Sequence, residues 1–143
     1  MVTSPLRGQT VYVDANTLIY ALETPTLFPG LQTHFVQPFL RGDLHIVTSW
    51  ITLAEVLIKP VSSGDVKLEA YYRQLIRPSV VCTVVAVDED IAGAAATIRA
   101  QYGIRLADAI HIATGQFIGC NCFLTRDSQW AKTGISVIDP ASL

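Results

Sequence analysis

Four acidic residues stand alone in apolar surroundings, and their side chains could together bind a divalent metal ion. Asp14 and Asp127 each follow an apolar run, whereas Glu55 and Asp108 are each the only acid within one. An unpaired carboxylate is costly to bury, and hard cations such as Mg²⁺ and Mn²⁺ take oxygen ligands. The four acids therefore predict a magnesium or manganese site, which could activate water for in-line attack on a phosphodiester.

Each of these residues also has a structural explanation. An aspartate that follows a strand often caps the next helix, which applies to Asp14 and Asp127. A salt bridge to an arginine or a place on an exposed edge could satisfy Glu55, and an acid near a helix N-terminus, such as Asp108, is favoured by the helix dipole. His111 lies one turn after Asp108, so it could be a metal ligand or a base. We interpret it instead as a hydrogen-bonded core histidine and leave it outside the predicted site.

The elements that must position the acids alternate along the chain. The apolar patterns predict strands at 10–14, 45–48, 80–87, 120–125 and 135–138, and helices at 17–22, 31–41, 50–59, 64–77, 91–102 and 106–117. Asn16 is the predicted cap of the first helix, and Pro60 the predicted end of the third. This order favours an α/β fold, a three-layer α/β/α sandwich with a mainly parallel central sheet. In such a sheet, ligands gather at the carboxyl ends of the strands, where Asp14 and Asp127 lie.

Composition limits the class of protein. The 143 residues, with no long Pro-, Gly- or Ser-rich stretch, predict one domain over residues 1–143. Half of the residues are apolar, yet no run is long enough to cross a bilayer, and residues 1–10 lack a secretory-signal pattern. We therefore expect a cytoplasmic protein with no membrane partner. The three cysteines are odd in number and the three histidines are scattered, so we expect reduced thiols and no zinc site.

The net charge of −2 is unusual for a protein that binds nucleic acid. If the four acids share one site, however, the ten Lys and Arg residues outnumber the remaining acids by two. Candidate contacts to a phosphate backbone are Arg7, Arg41, Lys59, Arg73, Arg77, Arg105 and Arg126. Composition alone thus argues neither for nor against an RNA substrate.

Around the four acids, the sequence resembles the PIN-domain family, and especially its small stand-alone members, the VapC-like toxins of toxin–antitoxin pairs. The resemblance covers nearly the whole chain. Four segments carry it, in the order and spacing of the family: 11–16 (VYVDAN), 48–56 (TSWITLAEV), 106–114 (LADAIHIAT) and 124–130 (LTRDSQW).

The resemblance implies a parallel sheet flanked by helices, with Asp14, Glu55, Asp108 and Asp127 converging as catalytic acids that bind Mg²⁺ or Mn²⁺. It also implies supporting roles for Asn16 and Thr125, which match a polar and a hydroxyl position of the family. The small members are typically endoribonucleases that act on structured RNA, form homodimers and are held inactive by a cognate antitoxin. We accordingly expect RNA as substrate, an antitoxin as protein partner and a homodimer, with the apolar segments 31–40 and 68–75 as either dimer or core surfaces.

Two positions depart from the family pattern, and two other functions remain open. Gly115 replaces a small helix former, which we expect to matter little. Gln129 replaces an acid of some relatives, which predicts one firmly held metal ion and another that arrives with the substrate. The segment 13–18 also resembles the first motif of haloacid-dehalogenase-type phosphatases, although Asn16 replaces that motif's second aspartate. The third hypothesis is a PIN fold that binds RNA or protein without cutting.

Overall fold

A five-stranded sheet forms the centre of the molecule in the computed structural model, which describes residues 4–143. The first three residues, part of the segment inspected for a secretory signal, lie outside the described residues. The strands are β1 (Thr10–Val13), β2 (His45–Ser49), β3 (Cys82–Val85), β4 (Cys122–Leu124) and β5 (Val137–Ile138). All neighbouring strands pair in parallel, in the order β3-β2-β1-β4-β5. The predicted α/β fold is confirmed, with a sheet that is parallel throughout.

Helices cover both faces of the sheet, because alternate strand residues supply apolar side chains to each face. Val11 and Val13 join the core beneath the first five helices, and Tyr12 joins the core beneath the last two. The helices are α1 (Ala15–Glu23), α2 (Pro29–Leu31), α3 (Gln37–Leu40), α4 (Trp50–Ser63), α5 (Val66–Leu75), α6 (Glu89–Tyr102) and α7 (Leu106–Ile118). A π-helical turn (Gln32–Val36) joins α2 to α3, and 3₁₀ turns cover Ser128–Thr133 and Pro140–Ser142. The result is the expected three-layer sandwich.

Three of the departures from the predicted element boundaries have a clear physical reason. Asp14, and not Asn16, caps α1, since its side chain accepts a hydrogen bond from the Thr17 N–H. Pro60 lies inside α4, where burial of its ring offsets one lost backbone hydrogen bond, and the helix ends at Gly64 in the left-handed conformation (φ 70°). Strand β3 begins only at Cys82, because a turn closed by the Ser79 N–H and the Cys82 carbonyl precedes it.

Helix α7 packs very closely on the sheet at Gly115. A Cβ atom at this position would lie 2.2 Å from a ring carbon of Phe123 and 3.2 Å from the ring of Tyr12. Side chains do not normally approach so closely, so a larger residue would displace the helix or the Phe123 ring. The expectation that Gly115 matters little is therefore wrong, because the glycine sets the distance between α7 and the sheet.

Two expectations from composition can be compared with the described residues. The three cysteines are all free, as expected, and two of them are buried. Within residues 4–143, no helix combines the length and the apolar character that crossing a membrane requires.

Candidate active site

The topology defines one crevice at the carboxyl edge of the sheet. From the central strand β1, the chain proceeds outward through β2 and β3, and then returns through α6 and α7 to place β4 on the other side of β1. The chain thus leaves β1 toward β2 and leaves β4 toward β5, which lie on opposite sides of the β1–β4 pair. Parallel α/β sheets bind their ligands at this kind of switch point. Asp14 directly follows β1, and Thr125 and Asp127 follow β4.

A single hydroxyl connects the two sides of this crevice. Thr125 Oγ1 donates to Asp14 Oδ2 over 2.6 Å and accepts the Asp127 N–H over 3.1 Å. Thr125 is fully buried and Asp14 is only 8% exposed, so water competes little for these bonds. The other Asp14 oxygen accepts the Thr17 N–H over 2.8 Å at the start of α1. The structure thus orients the Asp14 carboxylate through both oxygens.

Asp108 lies in the first turn of α7, close enough to Asp127 for their charges to interact. Burial raises the pKa of Asp108; the Arg105 guanidinium, whose Nε lies 3.3 Å from Asp108 Oδ2, lowers it, and the negative charge of Asp127 raises it again. The net effect is a raised pKa. Repulsion between nearby, partly buried carboxylates is the condition that a bound cation relieves.

Glu55 reaches the same helix from the opposite layer of the sandwich. Its Oε1 lies 2.5 Å from His111 Nε2, and His111 Nδ1 lies 2.6 Å from the Tyr12 hydroxyl. His111 is one turn after Asp108, so both side chains lie on one face of α7. Burial raises the pKa of Tyr12 well above its usual value, and the charges of Glu55 and Asp14 raise it further.

His111 is therefore the residue that the sequence reasoning underestimated. It is a hydrogen-bonded buried histidine, as predicted, with 1% of its surface exposed. It nevertheless contacts one of the four predicted acids, which the prediction did not foresee. The available signal was its position, since residues three apart on a helix share a face.

The predicted residues are not all brought together equally. Thr125 is hydrogen-bonded to both Asp14 and Asp127. The charge of Asp127 acts on Asp108, and Glu55 contacts His111 on the same helix as Asp108. Asn16 is exposed in the first turn of α1, and no side-chain hydrogen bond is seen for it among residues 4–143. Its proposed supporting role thus has no contact in this structure to carry it.

The donors fit a hard divalent cation in their chemistry. The four carboxylates and the Thr125 hydroxyl all offer oxygen, the ligand type that Mg²⁺ and Mn²⁺ prefer. Among residues 4–143, no group of three or more His, Cys, Asp or Glu side chains is close enough to hold one ion. Each of the four acids instead has a protein hydrogen-bond partner, namely Thr17 and Thr125 for Asp14, His111 for Glu55, Arg105 for Asp108, and the Gln129 N–H for Asp127.

Two of the candidate phosphate-binding arginines border the acids. Arg105 pairs with Asp108 and keeps an exposed side chain. Arg126, next to Asp127, pairs with Asp139 over 3.1 Å and lies 4.9 Å above the Phe28 ring. The two contacts restrict the guanidinium of Arg126 while leaving half of its side chain exposed. Cations at the rim of an acidic crevice are suited to contact the phosphates that flank a bound strand.

Comparisons with known proteins agree with this architecture. The family model described as "PIN domain" matches residues 11–135, which include all four acids. A toxin–antitoxin complex from Klebsiella pneumoniae is similar in structure, with a TM-score of 0.68 and 23% identity over 92% of this chain and 98% of that chain. VapBC of Salmonella typhimurium bound to DNA gives a TM-score of 0.71 and 18% identity over 92% and 98%.

A third similar structure is the sarcin–ricin-loop-cleaving VapC toxin of Mycobacterium tuberculosis. It gives a TM-score of 0.70 and 16% identity over 88% of this chain and 96% of that chain. A search of curated proteins by sequence finds no match. At these identities the structures establish a shared fold.

Proposed function

Since the chain belongs to the PIN-domain family, we propose that it is a metal-dependent endoribonuclease and the toxin of a toxin–antitoxin pair. One observation carries the proposal: the Thr125 hydroxyl joins Asp14 to Asp127 at the switch point of the sheet. A capping role alone does not require the bond from Thr125, because Asp14 already accepts the Thr17 N–H with its other oxygen. The second, buried bond instead orients an acid toward the crevice, where ligands bind.

The four acids are proposed to hold Mg²⁺ or Mn²⁺. When bound, the cation supplies stabilisation for the charge that develops on the phosphodiester during in-line attack. The residues of the chain orient the reacting groups. Thr125 holds Asp14, the α7 backbone holds Asp108, and His111 holds Glu55. Asp127 stands on a turn that the Thr125 hydroxyl fixes through the Asp127 N–H.

Helix N-termini assist an anionic substrate at the same edge. Helix α1 begins directly after Asp14, and α7 begins just before Asp108. Their free N–H groups and dipoles favour negative charge there. Together with Arg105 and Arg126, they provide positive potential around the acids. RNA phosphates can therefore approach an acidic site in a protein whose net charge is −2.

An antitoxin and a second copy of the chain are the proposed protein partners. The similar structures from Klebsiella pneumoniae and Salmonella typhimurium are a toxin–antitoxin complex and a VapBC complex. This chain has an apolar cavity of about 60 Å³ between the segments 31–40 and 68–75. Phe35 lies in the core there, whereas Leu40 and Tyr71 are 75% and 51% exposed. Exposed apolar side chains around a cavity support a protein contact at this surface.

The deciding experiment compares Asp14→Asn with Asp65→Asn. Both residues are N-caps, but Asp65 is exposed at the start of α5, away from the acids. Purified protein, freed of antitoxin, is incubated with a pool of structured cellular RNA in magnesium, in manganese and in chelator. We expect discrete metal-dependent cuts from the wild type and Asp65→Asn, and none from Asp14→Asn. Equal cleavage by wild type and Asp14→Asn would exclude the proposed site.

A second candidate is a PIN-fold module that binds RNA without cutting it. One observation favours it: within the described part of the chain, no three acids are close enough to share an ion. Replacement of Glu55 by Gln separates the two functions. Loss of cleavage with unchanged RNA binding supports the nuclease. RNA binding by a wild-type protein that cuts nothing in any metal supports the module.

A further inference from the structure

Three side chains form a hydrogen-bonded row from the central strand to the acids. The Tyr12 hydroxyl lies 2.6 Å from His111 Nδ1, and His111 Nε2 lies 2.5 Å from Glu55 Oε1. Tyr12 and His111 are almost completely buried, at 0% and 1% exposure. Glu55 lies at the open end, with 37% of its side chain exposed. The row therefore runs from the interior to the crevice.

The hydrogen-bonding roles in this row place one imidazole proton. The Glu55 carboxylate can only accept, so His111 Nε2 must carry a proton and donate it. The Tyr12 hydroxyl lies 2.6 Å from the other ring nitrogen, Nδ1. The Thr52 hydroxyl also lies beside that of Tyr12 and lowers the pKa of the tyrosine, against the larger rise caused by burial. The row therefore sets a proton on Nε2, and the Tyr12 hydroxyl holds the opposite side of the ring.

The ring of His111 is also held by packing. The indole of Trp130 stacks on it, with centroids 6.0 Å apart and an angle of 17° between the planes. The Tyr12 ring packs against His111 in the same core, at a centroid distance of 5.8 Å. Fixed at both nitrogens and against Trp130, His111 has little freedom to rotate. The Glu55 oxygen that His111 binds at Nε2 is therefore held in a fixed position as well.

We propose that His111 is a positioning residue, which is hydrogen-bonded to Tyr12 at Nδ1 and donates from Nε2 to one oxygen of Glu55, so that it holds this carboxylate toward the crevice. The inference rests on the proposed function, because Glu55 is there a metal-binding acid. The contact with His111 leaves Glu55 Oε2 available to bind a metal ion, since no hydrogen bond to that atom occurs among residues 4–143. Partners that orient a metal ligand in this way typically contribute about 10–100-fold to metal affinity or activity.

The test uses three variants of the row and one control. His111→Leu removes the donor, His111→Gln keeps a donor able to reach Glu55, and Tyr12→Phe removes only the buried hydroxyl. His45→Gln is the control, because His45 bonds to Thr83 at the far end of the sheet. Binding of Mn²⁺ alone to RNA-free protein is followed by electron paramagnetic resonance, and kcat and KM are measured with a cleaved RNA.

We expect His111→Leu to weaken Mn²⁺ binding about 10-fold or more and to lower kcat, with the KM for RNA changed by less than about 2-fold. His111→Gln should recover most of the loss, and His45→Gln should match the wild type. A general loss of packing would not be rescued by glutamine. A folded His111→Leu variant that binds Mn²⁺ like the wild type refutes the proposal.

Nitrogen NMR of histidine-labelled wild type tests the row without any activity. We expect His111 to carry a proton on Nε2, with slow exchange of that proton, and Tyr12→Phe to speed the exchange. An Nε2 without a proton overturns the inference even if the variants fold poorly. If the wild type neither binds Mn²⁺ nor cuts RNA while NMR shows the proton on Nε2, the proposed function fails and the contact to Glu55 stands.

Discussion

Replacing Thr125 by valine tests the bond between the two sides of the crevice with little change in side-chain shape. Valine fills the volume of threonine but cannot donate to Asp14 or accept from Asp127. Because Thr125 is fully buried, no water replaces the lost hydroxyl at its own position. The Asp14 oxygen at 2.6 Å loses its donor, and the Asp127 N–H loses its acceptor.

The size of the effect follows from these two bonds. A hydrogen bond to a charged group contributes about 1.5–3 kcal/mol and a neutral one about 1 kcal/mol. We therefore expect Thr125→Val to lower the free energy of unfolding by about 2–4 kcal/mol. With a urea dependence of about 2 kcal/mol per molar, the middle of the usual range for small proteins, the midpoint of urea unfolding should fall by roughly 1–2 M.

The assay is urea unfolding in chelator, followed by tryptophan fluorescence. Thr97→Val is the matched control, since the Thr97 hydroxyl is exposed and bonds only to a carbonyl of its own helix. It should change stability by less than about 0.5 kcal/mol. Thr125→Ser, which keeps the hydroxyl, should lose less than Thr125→Val. If Thr125→Val unfolds at the same urea concentration as Thr97→Val, the hydroxyl does not hold the site together.

Three further outcomes can be measured on the metal-free or metal-bound protein. In the same urea assay, Gly115→Ala should destabilise the protein by about 1–3 kcal/mol, because the new Cβ clashes with Phe123. Gly93→Ala, where a Cβ meets open space, should instead stabilise the protein by about 0.5–1 kcal/mol. Arg105→Gln should raise the pKa of Asp108 further, so that Mn²⁺ binding is lost at a higher pH on acidification; an unchanged pH profile contradicts the pairing. Burial raises the pKa of the three cysteine thiols to about 11 or 12. A disulfide-exchange reagent at pH 8 should therefore label the two buried thiols, Cys82 and Cys122, only after unfolding, and rapid labelling of either in the native protein would contradict their burial.

The architecture could be predicted from the sequence because its signals are local. Apolar runs such as 10–13 and 122–124 mark buried strands, and their alternation with helical patterns determines the α/β order. Boundaries were predicted less well where tertiary contacts outweigh local preference. Pro60 stays in α4 because its ring is buried there, and Val80, apolar but 94% exposed, precedes β3 in a turn.

The site was predictable in its residue types but not in its connections. The isolated acids could be chosen because burying a lone carboxylate needs a reason. No local pattern shows that Thr125 reaches Asp14, or that His111 meets Glu55 from across the sheet, because these pairs are 111 and 56 residues apart. The role of Gly115 was hidden for the same reason, since the ring that requires the glycine belongs to β4.

The central place of β1 also affects when the site can form. Asp14 is synthesised early, but the hydroxyl that orients it arrives 111 residues later, with the strand that completes the centre of the sheet. Contacts over such sequence distances form slowly, because a long loop must close first. A nascent chain that ends before β4 thus carries the first acid without the geometry to use it. For a protein proposed to cut RNA, the crevice is assembled only after the segment that follows β4 has left the ribosome.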